Sequence, residues 1–86
     1  MFSGEAKTVH VEMSRYLMDA VFDLFGERAE ITLHGEDKMR FSAEVQVSDL
    51  FFGWCSSFGQ KLTILGPKDI KERYTAYLDS LKGQYQ

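Results

Sequence analysis

Hydrophobic and polar positions alternate from Thr8 to Met13, with Val9, Val11 and Met13 on one side and Thr8, His10 and Glu12 on the other. A period of two marks a strand buried on one face. The period then lengthens. Ser14 stands where an N-cap would satisfy the first free amides of a helix. Leu17, Ala20, Val21, Leu24 and Phe25 follow on one helical face, and Gly26 is a natural stop. From Arg28 to His34 the alternation returns, with Ala29, Ile31 and Leu33 apolar. Gly35-Glu36-Asp37 forms a turn, and Met39, Phe41, Ala43, Val45 and Val47 continue the pattern beyond it. Two alternating runs around a short glycine-containing turn predict an antiparallel hairpin.

Ser48 or Asp49 caps a second helix whose apolar residues are Leu50, Phe51, Trp54, Cys55 and Phe58, closed by Gly59. Lys61 to Leu65 predicts a short strand with Leu62 and Ile64 inward. Gly66-Pro67 opens a third helix, since a proline in the first turn loses no needed amide. Ile70, Tyr74, Tyr77, Leu78 and Leu81 form its apolar stripe. Each strand is apolar on one side only, which requires a single sheet with helices on one face. Two right-handed strand–helix–strand units sharing a hairpin make a ferredoxin-like split βαββαβ plait of the α+β class. The final helix is an addition whose position the pattern leaves open. Residues 1–6 read as a leader from a preceding domain, and residues 7–86 as the folded domain.

The chain has 86 residues, enough for one domain near the lower end of what a single core can stabilise. Its 44% hydrophobic content argues against disorder. A net charge of −3 leaves no basic footprint for gripping nucleic acid. One cysteine, Cys55, rules out an internal disulfide and fits a reducing compartment. No apolar run is long enough to span a bilayer, and the N-terminus has no signal-peptide pattern, so the expected location is cytoplasmic with no membrane partner.

Candidate chemistry is sparse. The open sheet face would carry Thr8, His10, Glu12, Glu30, Thr32, His34, Arg40, Ser42, Glu44 and Gln46. In the usual plait order His10 and His34 lie two strands apart, roughly 10 Å, too far to share one metal ion readily. The ordinary reading of this face is a solvated or partner-facing surface. Cys55, beside Trp54 and Phe58 with no cation to lower its pKa, reads as a small core residue. Phe51 and Phe52 are adjacent on a helix, so one of them is expected to be exposed or to meet a partner. Open-face aromatics for RNA stacking are missing, because Phe41 shares the core face with Met39 and Val45. The junction Glu12-Met13-Ser14-Arg15 lacks the glycine-rich anion loop of a phosphate-hydrolysing plait. Lys68, Lys71, Arg73 and Lys82 alternate with Asp69, Glu72 and Asp79, as on a solvated helix face. No nucleophile–base pair is evident, so the reading is not an enzyme, with no cofactor and no metal. Possible interface residues are His10, His34, Arg40, Glu44, Phe51 and Phe52.

One run carries a family resemblance. Val47 to Arg73 contains a helix with Trp54, then Phe58-Gly59, a short strand from Leu62 to Leu65, Pro67 at a helix start, and a Lys/Arg/Glu-rich closing helix. In that order these resemble the C-terminal extension, termed WCX, of WYL-domain bacterial transcription regulators. Met1 to Val11 resembles the junction leaving the WYL domain, so the resemblance covers essentially the whole chain. It implies that Met1 is an internal methionine and that a winged helix-turn-helix and a WYL domain precede this domain. It further implies a homodimer, partnership with those two domains, contact with DNA only through the missing one, and an unknown effector. The function so implied is a non-catalytic regulatory and dimerisation domain that relays effector binding to the DNA-binding domains. The alternative is a stand-alone small-molecule-binding ferredoxin-like domain.

Overall fold

The computed structural model describes residues 6–86. Among them, strand β1 (Ala6–Ser14) leads through a single 3-10 turn to helix α1 (Met18–Phe25) and then to the short strand β2 (Glu30–Leu33). Strand β3 (Lys38–Gln46), helix α2 (Asp49–Ser56) and strand β4 (Leu62–Gly66) form the second half, and helix α3 (Lys68–Gly83) closes the chain. The four strands are antiparallel in the order β2-β3-β1-β4. This is the ferredoxin-like plait, with an added C-terminal helix. Residues 1–5 of the expected leader lie outside the described residues, and its last residue, Ala6, already belongs to β1.

The alternating pattern decides which side of the sheet is covered. Val9, Val11 and Met13 on β1 are fully buried, and Met39, Phe41, Ala43 and Val45 on β3 are buried opposite them. Their polar neighbours fall on the other face, which no helix among the described residues covers. Val21 and Phe25 from α1, Phe51, Phe52 and Cys55 from α2, and Ile70 from α3 complete one continuous core.

Several local expectations are corrected. Ser14 does not cap α1: it remains in β1, opposite Lys38, and its hydroxyl makes no capping bond. The chain turns there because Arg15 is tied to the hairpin, its amide donating to the Asp37 carbonyl at 3.0 Å and Nη1 to the Glu36 carbonyl at 3.0 Å. At the second helix Ser48 is the cap, accepting from the Phe51 amide at 3.3 Å. Leu33 shares the core side with Met39 but is 51% exposed, because it stands at the end of the edge strand β2. Leu50, placed on the apolar side of α2 by its pattern, is 88% exposed.

Phe51 and Phe52 are both buried, contrary to the expectation that one would face outwards. The reason lies in α3, which packs beside α2 and gives that helix a second covered side. Phe51 stacks on Trp54 at 6.2 Å, whereas Phe52 meets Tyr74 and Tyr77 at 5.4 and 5.6 Å. Adjacent helical positions point about 100° apart, and two covered sides accommodate both. The stripe of α3 is used only in its first half: Ile70 is fully buried, Tyr74 and Tyr77 are half-buried, and every residue from Leu78 onwards is exposed.

Candidate functional site

Two surfaces stand out: the open sheet face and a cleft at one end of the sheet. On the open face the strand register lines up polar side chains in cross-strand rows. Arg40 lies opposite Glu12, and its Nε donates to Glu12 Oε2 at 3.0 Å. His10 lies opposite Ser42, with Nδ1 and Oγ sharing a hydrogen bond of 2.8 Å. Glu30 flanks Ser42 from β2, and Thr8 faces Glu44.

The structure thus brings together some of the expected interface residues and separates others. Arg40 pairs with Glu12, and Glu44 lies four residues further along the same strand. His34 falls just past the end of β2, where its amide donates to the Lys38 carbonyl at 3.0 Å. His10 is in register with Ser42, so the two histidines differ by four rows as well as two strands. At about 3.3 Å per residue the rows add roughly 13 Å, which moves the pair well beyond the strand-spacing distance of the sequence reading. Among the described residues no three His, Cys, Asp or Glu side chains are grouped as a metal ion would require.

The His10–Ser42 pair was not expected, and its geometry invites a nucleophile–base reading. Such a pair needs a third group orienting the histidine and donors for a developing oxyanion. Here the ring's other nitrogen meets no carboxylate among the described residues. It acts as a cross-strand polar pair. Cys55 is fully buried, and burial pushes its thiol up to about 12, so it contributes packing and no nucleophile.

The second surface is a cleft of about 620 Å³ where the C-terminal end of α1, the end of β3 and the start of α2 converge. Phe25, Val45, Phe51 and Trp54 line it, with Leu24 and Leu50 at its exposed margins. The aromatic wall is tightly interlocked. Trp54 meets Phe25 edge-on at 5.6 Å and Phe58 edge-on at 5.0 Å, and Phe25 packs on Phe41 at 5.5 Å. Arg28 and Glu44 supply opposite charges to the lining. The Arg28 guanidinium is held in place: Nε donates to the Phe25 carbonyl at 3.1 Å, Nη2 to the Leu24 carbonyl at 3.1 Å, and its carbon sits 6.0 Å from the Phe25 ring centre. It thereby also serves the free carbonyls at the end of α1.

Neither Arg28 nor the cleft was singled out from sequence, because its lining comes from several separated segments.

No family model matches the chain, and no curated protein or solved structure matches it either. Among the described residues no helix is long and apolar enough to cross a membrane.

Proposed function

We propose that this chain is a non-catalytic regulatory and dimerisation domain of a cytoplasmic helix-turn-helix regulator of the WYL type. The reading is supported chiefly by the open sheet face, a broad polar surface uncovered by any helix among the described residues and ordered by the Glu12–Arg40 and His10–Ser42 pairs. Such a surface suits docking against a second protein surface, where charged pairs confer register and orientation. The residues that carry the family resemblance also form one packed unit, with α2, β4 and α3 joined through Phe52, Tyr74 and Tyr77. In this reading an effector, bound mainly by the WYL domain, alters how the plait docks and so resets the spacing of the DNA-binding domains. That relay requires the effector to bind the two arrangements with different affinity.

Replacing Arg40 and Glu44 together with Ala is expected to leave the circular dichroism spectrum of the chain unchanged. Dimerisation or domain docking of the full-length regulator, followed by sedimentation velocity, is expected to weaken. Unchanged association would sink the proposal. A second reading, a stand-alone small-molecule-binding domain, draws on a separate observation, the aromatic cleft beside Arg28.

A further inference from the structure

Strand β3 is paired unequally along its two edges. Against β1 it is paired throughout, from Lys38 opposite Ser14 to Gln46 opposite Ala6. On its other edge β2 reaches only from Leu33, opposite Met39, to Glu30, opposite Ser42. Ahead of Glu30 the chain comes through the 3-10 turn Gly26–Arg28, outside the ladder. In an antiparallel strand the amide and carbonyl of one residue point to the same side, and successive residues alternate. The Lys38 carbonyl accepts from the His34 amide on the β2 side, so the main-chain groups of Arg40, Ser42, Glu44 and Gln46 face that side too. Those of Glu44 and Gln46 lie past the end of β2, and among the described residues no other backbone segment bonds them there. They open onto the aromatic cleft, whose lining includes Glu44, Val45 and Gln46.

We infer that this gap docks the free C-terminal end of a partner protein, added to the sheet as a short strand. Unpaired main-chain groups on a strand edge are a template for another extended chain, which gains affinity from backbone bonds and specificity from alternate side chains. The peptide residues opposite Glu44 and Gln46 exchange those bonds. The residue between them stands opposite Val45 and directs its side chain to the core face, towards Leu24, Phe25 and Trp54, so it is apolar. The added strand is collinear with β2 and has to end where the Gly26–Arg28 turn occupies the line. Arg28 stands at that end, exposed and in no ion pair among the described residues. The Leu24 and Phe25 carbonyls spend two of its guanidinium donors and leave the others. These fit a terminal carboxylate and repel a terminal ammonium, which sets the peptide antiparallel to β3 with its C-terminus at Arg28. Glu44 takes part through its main chain, and its side chain stays with the open-face row. The site is an edge and a cleft, separate from the open-face contacts of the proposed docking, so each can fail without the other.

Trp54 is the chain's single tryptophan and stands in the cleft wall, so its fluorescence reports occupancy directly. The probe is the peptide acetyl-threonyl-leucyl-threonine with a free carboxylate. Three relatives each remove one element: its C-terminal amide, the same acid methylated on its last peptide nitrogen, and 4-methylpentanoate, an apolar carboxylate with no peptide backbone. The parent peptide is expected to give a saturable change, with millimolar affinity as the natural scale for so small a ligand. Each relative is expected to bind about tenfold more weakly or worse. In Arg28→Gln the acid and the amide are expected to bind alike. Because Arg28 also holds the end of α1, the comparison of ligands on the unaltered chain keeps the test clear of folding. A flat Trp54 response to the parent peptide would overturn the inference. Equal affinity for the amide would remove the terminal carboxylate, equal affinity for the methylated acid would remove the strand pairing, and equal affinity for 4-methylpentanoate would make the cleft a small-molecule site; each overturns it as well.

Discussion

The two edge strands of the sheet occupy equivalent places in the plait and are finished differently. Strand β2 has four residues and not one of them is buried; Ile31 is half-buried and Leu33 lies open. Strand β4 buries both Leu62 and Ile64, and α3 packs along it. The contrast shows what the added helix does. It seals one edge of a sheet whose other edge is left to short length and to the polar side chains of Glu30 and Thr32, features that discourage unwanted strand pairing.

The largest test of that contrast removes the anchor of α3. Ile70→Ala is expected to cost about 2–5 kcal/mol, because Ile70 is the fully buried residue that fixes the helix to β4. Ile31→Ala at the other edge is expected to cost roughly half as much or less, since its side chain is only half-buried. Urea unfolding of the two variants compares them directly, and equal losses would erase the asymmetry.

A smaller effect concerns the way into β2. Gly26, between α1 and that strand, has φ +58° and ψ −133°, a combination that side chains of L-residues resist. Nothing lies within 4 Å of a Cβ placed there, so any loss is backbone strain alone. Gly26→Ala is expected to cost about 1–3 kcal/mol in the same measurement. A neutral result would mean that the turn into β2 relaxes freely.

The smallest effect belongs to the sealed edge. Lys7 on β1 bonds Asp69 at the start of α3, with Nζ 2.5 Å from Oδ2. That hydrogen bond, more than any other cause, holds the Asp69 carboxyl below its ordinary value of 3.8. A carboxyl whose pKa is lower in the folded state contributes stability that is present above 3.8 and lost as the pH falls through the folded value. Asp69→Asn is expected to flatten the acid-side dependence of the melting temperature slightly and to leave neutral pH almost unchanged, as befits an exposed, salt-screened pair. A pH profile identical to that of the parent chain would remove the pair from the account of how α3 is held.

Much of this architecture was legible in residue order. The period-two runs give β1 and β3 with their inward residues, and the hairpin turn and single-sheet argument give the strand order. What failed to show was contact between distant segments. A helical stripe such as Ile70, Tyr74, Tyr77 and Leu78 announces that α3 packs on something without saying on what. The burial of both Phe51 and Phe52 and the exposure of Leu50 depend on that missing fact. Leu33 breaks its pattern for a different reason, standing at the end of an edge strand. The alternation places the polar side chains of β1 and β3 on one face, but pairing depends on register, which gave Arg40 to Glu12 and His10 to Ser42. The cleft was hidden for the same cause: Leu24, Arg28, Glu44 and Trp54 become neighbours only after the chain has folded.

The buried thiol of Cys55 has a practical side. It is the chain's single cysteine, it sits in α2 under the layer completed by α3, and burial suppresses its ionisation. An alkylating reagent can reach it only when that layer lifts, so the rate of modification under native conditions is a clock for partial opening. With no engineered label, the molecule carries its own stopwatch for the moment α2 and α3 part company.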